Sequence, residues 1–197
     1  MKTIQFPRAG GFAMLIVGKP RSGKTNLLLN LTTKAHKNFN RKFDRVYLWS
    51  PSVHTMEDDP FELLPDDQKF NSLTLDNLSG VLEEIADSGD KVFFILDDVI
   101  ADMRGKGKAQ LENLLHKVFF NRRHLAGKGG SVSIIATSQT YNKIDPKLRK
   151  TASQLIFFAN KNKKEIDSIF EEMIFKNFNQ LQISSPNIIG DGFRFMD

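Results

Sequence analysis

Gly18-Lys19-Pro20-Arg21-Ser22-Gly23-Lys24-Thr25 fits the spacing G-x-x-x-x-G-K-[ST] at every defined position. The chemistry needs these residue types. Gly18 and Gly23 let the backbone curl until successive N–H groups face one anion. Lys24 adds a mobile cation for the outer phosphates, and the Thr25 hydroxyl is placed to ligate Mg²⁺. A helix that starts at the end of the loop and carries Asn26 in its first turn presents its positive end to the same anion. Residues 18–26 therefore predict ATP binding with Mg²⁺ as the companion ion. A bland glycine turn leaves the strand–loop–helix setting unexplained.

A second element is Phe93-Phe94-Ile95-Leu96-Asp97-Asp98. Four apolar residues ending in an acid describe a strand that delivers a carboxylate to the C-terminal edge of a sheet, where α/β ligands bind. Asp97 would hold Mg²⁺, mainly through water. Asp98 is then placed to orient or deprotonate the attacking water. Many ATPases of this broad type carry Glu next to the metal-binding Asp, and Asp98 is one methylene shorter. Without the phosphate loop, the same residues read as a strand ending in a solvated Asp-Asp turn.

Val132-Ser-Ile-Ile-Ala-Thr-Ser-Gln139 runs from an apolar strand into a polar end. Gln139 there can hydrogen-bond a γ-phosphate or the lytic water; its alternative is a satisfied loop residue. Arg123 and Arg149 suit phosphate recognition through arginine's fixed fork, and each is a candidate finger for a neighbouring subunit's site. Equally, an arginine at a helix C-terminus complements the helix dipole with no further purpose. Arg122 reads as structural or DNA-facing. Two small basic loops are candidates for tracking a nucleic-acid backbone, one with Arg104, Lys106 and Lys108 directly after the acid pair, the other with Lys128 between glycines. The alternative is that both are ordinary surface turns.

The elements that must position these groups alternate between short apolar runs and helical patterns, which predicts an α/β fold with a mostly parallel central sheet flanked by helices. Strands are expected at Phe12–Val17, Arg45–Trp49, Lys91–Leu96, Val132–Thr137 and Gln154–Ala159. Helices are expected from Thr25 to about Lys37, over Leu75–Ala86 with Leu75, Leu78, Leu82 and Ile85 inward, and over Ala109–His124. Another is expected over Lys163–Phe175 with Ile166, Ile169, Phe170 and Met173 on one face. Residues 50–72 read as an irregular excursion with at most a turn of helix. Gly190-Asp191-Gly192 is a turn signal for a hairpin within Ile183–Phe195. Trp49, Tyr47 and the 17 phenylalanines read as core.

At 197 residues with 40% apolar content, the chain suits one domain, 1–197, with a core of about 11–160. The absence of cysteine excludes disulfides and thiolate metal sites. The opening residues predict no signal peptide and no window predicts a membrane span, so a soluble intracellular protein is expected. Charge is unevenly placed: residues 1–50 carry ten Lys/Arg against one acid, 51–100 two against thirteen, and 101–150 eleven against three. Two basic blocks around an acidic one fit a polyanion partner, or solvated faces that alternate in space.

The phosphate loop, the Phe-Ile-Leu-Asp-Asp strand, Phe120-Asn-Arg-Arg-His124, Ile135-Ala-Thr-Ser-Gln139 and Pro146-Lys-Leu-Arg149 follow one another in that order. This set resembles the poxvirus-type genome-packaging ATPases of large eukaryotic DNA viruses and virophages, which belong to the FtsK/HerA class of DNA pumps. The resemblance spans roughly residues 11–160. It implies a RecA-like P-loop NTPase core, assembly into a ring (pentamer or hexamer), and ATP-driven translocation of double-stranded DNA into a capsid, with capsid proteins as further partners. The same resemblance assigns phosphates and Mg²⁺ to Lys24 and Thr25, metal and water to Asp97 and Asp98, sensing to Gln139, and a finger in trans to Arg123 or Arg149. It also places the protein in the host cytoplasm or a viral factory, with transient presence at or in the virion. A small P-loop kinase for a nucleoside or metabolite is the competing enzyme class, but no arginine-rich lid helix is visible for it. A non-enzymatic module, in which nucleotide only orders an interface, conflicts with an intact Asp97-Asp98 pair.

Overall fold

Strands β1 (Ala13–Val17), β4 (Lys91–Leu96) and β5 (Ser131–Ser138) are buried at nearly every position, as strands covered on both faces must be. The computed structural model describes residues 10–32, 43–52, 61, 64–101, 103, 107–158, 162–175 and 193–196. Its sheet has seven strands in the order β3-β2-β4-β5-β1-β6-β7, with β2 at Arg45–Trp49, β3 at Lys69–Phe70, β6 at Gln154–Phe158 and β7 at Phe193–Met196. Every pairing is parallel. Successive side chains of β1 serve opposite faces: Ala13, Leu15 and Val17 join one buried cluster, while Met14 and Ile16 join the other.

Helices α1 (Lys24–Thr32), α2 (Leu75–Ile85), α3 (Lys108–Asn121), α4 (Pro146–Thr151) and α5 (Lys163–Ile169) connect the strands. The sequence-predicted continuation of α1 to Lys37 lies outside the described residues. Thr74 caps α2 reciprocally with Asn77, and the Asn77 carboxamide also accepts from the Trp49 indole N–H at 3.1 Å, pinning the helix start to β2. The α2 core face is Leu78, Val81 and Ile85, with Leu75 and Leu82 only half-buried.

Four features differ from the sequence-based expectations. Residues 50–72 contain β3, whose two residues pair with Leu48 and Trp49 and stack Phe70 on Trp49 at 5.2 Å. Two residues are too few to show a period. Helix α4 is additional to the expected helices, although its start carries a plain signal: Asp145 caps it by accepting from Lys147 N–H at 2.7 Å, with Pro146 in the first turn. The helix over 163–175 is α-helical only to Ile169 and then widens to a π-turn over Phe170–Phe175. Ile169 and Glu165 are buried, whereas Ile166 and Phe170 stay substantially exposed. Finally, β7 joins the sheet parallel to β6, a pairing that requires a crossover instead of a tight turn. The turn at 190–192 and the arm before it lie outside the described residues. No helix among the described residues is long and apolar enough to cross a membrane.

Candidate active site

Strand register brings the sequence-predicted groups to one line. Val17 is level with Ser138, Ala136 with Leu96, and Leu96 with Trp49. The residues that leave the C-terminal ends of β2, β4, β5 and β1 therefore stand side by side: Ser50, then Asp97 and Asp98, then Gln139, then Gly18. Strand β5 lies between the strand of the phosphate loop and the strand of the acids, which sets Gln139 between the two.

The loop from Gly18 to Lys24 is rooted by Gly18 N–H, which donates to the Ser138 carbonyl at 3.1 Å. A β-carbon at Gly18 would stand 2.5 Å from Ser22 Oγ and 2.8 Å from Phe158 Cβ, so only glycine fits. Arg21 and Gly23 take left-handed backbone angles, with φ of 63° and 96°. Such reversals turn consecutive N–H groups inward, as an anion cradle requires. Lys24 is only 6% exposed, and its amine donates to the carbonyls of Gly18 at 2.8 Å and Lys19 at 3.2 Å. The cation is thus folded beneath its own loop. Ser22 Oγ is buried with no hydrogen-bond partner among the described residues. A buried cation, an unsatisfied hydroxyl and a helix N-terminus on one concave loop fit a polyphosphate. Lys19, Pro20 and Arg21 form the loop's exposed crest, and Thr25 and Asn26 follow in the first turn of α1.

Asp97 is 7% exposed, and both its oxygens are engaged: Ser50 Oγ donates to Oδ2 at 3.0 Å and Thr137 Oγ1 donates to Oδ1 at 2.7 Å. Asp98 turns the chain sharply with φ of 52°, its N–H donating to Thr137 Oγ1 at 2.9 Å. Its carboxylate accepts from Gln139 Nε2 at 3.2 Å, so the expected water-orienting acid and the expected sensor are already paired. Thr25 and Asp97 are the residues that would hold Mg²⁺. Ser50 and Thr137 are not among the sequence-predicted site residues, because only register across three strands places them on Asp97.

The arginines separate. Arg149 does not fit a finger in trans, which corrects that expectation: it is 6% exposed and bound within its own chain. Its guanidinium lies 4.6 Å over the Tyr141 ring, donates to Asn142 Oδ1 at 3.1 Å and meets Glu172 at 3.0 Å. Tyr141 also donates to Glu172 at 3.1 Å, and burial, reinforced by that carboxylate, pushes its phenol above the usual range. Arg122 is structural, donating to the Gly11 carbonyl at 2.6 Å and to that of Phe119 at 2.5 Å. Burial first, and Arg123 second, hold its pKa below the usual arginine value. Arg123 is exposed beside Gly11, at the N-terminal end of the sheet and thus opposite this subunit's phosphate loop.

The two basic loops also lie at opposite ends. Lys108 opens α3 after β4, on the side of the acid pair, and is exposed and paired with Glu112 at 3.5 Å. Lys128 precedes β5 at the far end of the sheet. Arg104 and Lys106 lie outside the described residues.

A sequence model of the family described as Poxvirus A32 protein matches residues 6–193. No curated protein shows significant similarity to the chain. Among solved structures, the fold is similar to B204, the DNA-packaging ATPase from Sulfolobus Turreted Icosahedral Virus, with a TM-score of 0.60 at 14% identity over 90% of this chain and 89% of that one. The genome packaging NTPase B204 from Sulfolobus turreted icosahedral virus 2 is similar in its sulfate complex, with a TM-score of 0.60 at 14% identity over 90% of this chain and 88% of that one. In its ATP-gammaS complex the TM-score is 0.58 at 14% identity, over 87% and 86%.

Proposed function

The chain belongs to the poxvirus A32 protein family, and we propose that it is an ATP-hydrolysing motor subunit that packages double-stranded viral DNA into a capsid. One observation carries this reading. The phosphate loop and the Asp97-Asp98 pair leave parallel strands on either side of β5, at one level, with Gln139 between them. On binding ATP, Lys24 exchanges the carbonyls of Gly18 and Lys19 for phosphate oxygens, and the loop's N–H groups complete the cradle. Thr25 and Asp97 would hold Mg²⁺. When bound, that ion neutralises charge on the phosphate oxygens. Asp98 accepts the proton of the attacking water, and Gln139 orients that water and registers the loss of the γ-phosphate.

Subunits associate into a ring, pentameric or hexameric, around the duplex. Arg123 is the arginine that reaches a neighbour, which requires the neighbour's site to meet the N-terminal end of this subunit's sheet. The protein works in the host cytoplasm or viral factory and docks on capsid proteins during filling. The test is phosphate release with and without duplex DNA over a salt series, alongside the mass of the assembled particle. Stimulation by DNA that fades with salt is expected; hydrolysis by a ring indifferent to DNA at low salt would end this reading.

A further inference from the structure

Two hydroxyls beside the acid pair have no part in binding or hydrolysis as set out so far, although both are buried: Ser50 is 3% exposed and Thr137 is fully buried. A buried hydroxyl is costly unless it is bonded, and each of these is spent on the same carboxylate. Ser50 Oγ donates to Asp97 Oδ2 and Thr137 Oγ1 donates to Asp97 Oδ1. A threonine hydroxyl has one proton. Having given it to Asp97, Thr137 can only accept on its other side, and there it receives the Asp98 N–H at 2.9 Å. One oxygen atom therefore fixes both acids. It sets the plane of the Asp97 carboxylate and holds the left-handed turn that sends Asp98 towards Gln139.

We propose that Ser50 and Thr137 are positioning residues for the metal-holding acid, and that Thr137, unlike Ser50, couples the Asp97 geometry to that of Asp98. This rests on the ATPase reading and deepens it. The two residues differ in consequence. Of the two acids Ser50 bonds Asp97, its oxygen also accepting from the Ser52 N–H at 3.4 Å and lying 3.2 Å from Ser52 Oγ, so removing its hydroxyl loosens the metal-holding oxygen and leaves the water-orienting acid in place. Thr137 touches both, so its removal disturbs metal binding and hydrolysis together. Valine has the shape of threonine but cannot donate to Asp97 or accept from the Asp98 N–H, whereas serine can do both.

The test measures affinity for a fluorescent ATP analogue by the full chain, in EDTA and across a Mg²⁺ titration, with melting curves to confirm folding. Thr137→Val and Ser50→Ala are expected to bind the analogue in EDTA as the wild type does. The Mg²⁺ concentration for half-maximal tightening should rise on the order of 10–100-fold, the usual effect of losing a group that orients a metal ligand. Thr137→Ser should restore it. At saturating Mg²⁺, Ser50→Ala should recover hydrolysis and Thr137→Val should not. An unchanged Mg²⁺ midpoint in both folded variants overturns the proposal, as does a serine variant no better than valine. Should Thr137→Val fail to fold, the midpoint of Ser50→Ala decides. Wild-type protein that binds no nucleotide in either condition refutes the ATPase reading itself, and this inference with it.

Discussion

Arg149 and Glu172 meet at 3.0 Å, joining the helix after the sensor strand to the π-turn that follows α5. Tyr141 lies under the guanidinium and donates to the same carboxylate, so three segments share one polar knot. Removing one member strands the charge of the other in a site where water reaches it poorly. Arg149→Met should cost about 3 kcal/mol of stability, and a melting temperature lower by roughly 6–12 °C follows for a chain of this size. The Arg149→Met, Glu172→Gln double variant should melt above the sum of the two single losses, because it leaves no unpaired charge. A melting temperature unmoved in Arg149→Met would release Arg149 for a role between subunits.

Lys24 makes its hydrogen bonds within the loop that it serves. Lys24→Ala should lower kcat/KM for ATP by about 10²–10³, the typical loss on removing one preorganised charge-stabilising donor. Calorimetry should show the loss in nucleotide affinity, and the far-ultraviolet circular dichroism should stay that of the wild type.

Asp98 and Gln139 are bonded to each other, with the Asp98 backbone N–H held by Thr137. Asp98→Asn keeps the shape and removes the base. It should lower kcat about 10²–10⁴-fold, the range for losing a general base, and leave analogue affinity within a few-fold of wild type. Gln139→Ala should also act on kcat more than on binding. Stopped-flow phosphate release beside equilibrium binding separates the two effects; an equal loss in both would place these residues in binding instead of chemistry.

The parts of the site carried by contiguous residues were legible in the sequence. Gly18–Thr25 must be consecutive to curl around an anion, so spacing alone exposes it, and Asp97-Asp98 at the end of a strand reads as its companion once that loop is in view. Most of the strands were equally plain, since burial on both faces leaves runs such as Phe93–Leu96 unbroken. Ser50 and Thr137 were not legible. Each is an ordinary polar residue on its own strand, and only the register Trp49↔Leu96↔Ala136 brings them to one carboxylate. Arg149 misled for the same reason: a Leu-Arg pair carries no sign that a glutamate 23 positions later will cover it. Ile166, within α5, and Phe170, where the helix widens, are both exposed while Glu165 and Ile169 are buried, so the apolar period there did not mark the inward face.

Both tyrosines of the chain, Tyr47 and Tyr141, are buried, and burial raises the pKa of each above its ordinary value. An unfolded tyrosine ionises near pH ~10. Above that pH the unfolded chain releases protons that the native chain retains, so stability should fall as pH rises past ~10 and should not respond to these groups below it. Tyrosinate absorbance should therefore rise together with the loss of circular dichroism, not before it. Tyr47→Phe isolates Tyr141, whose signal should remain tied to unfolding. Early titration of Tyr141 in a folded protein would contradict its burial against Glu172.

Lys108 and Lys128 stand at opposite ends of the parallel sheet, so one subunit cannot present both to the same stretch of duplex near its catalytic end. Lys108 opens the helix that follows the acid pair in the chain. The DNA-stimulated rate should accordingly depend on Lys108, with Lys108→Ala reducing stimulation and flattening its logarithmic salt dependence by about one unit for each phosphate left without its cation. Lys128→Ala should leave both unchanged, and basal hydrolysis should be the same in the two variants. The reverse pattern would turn the subunit over, placing the N-terminal end of the sheet, with Arg123, against the DNA.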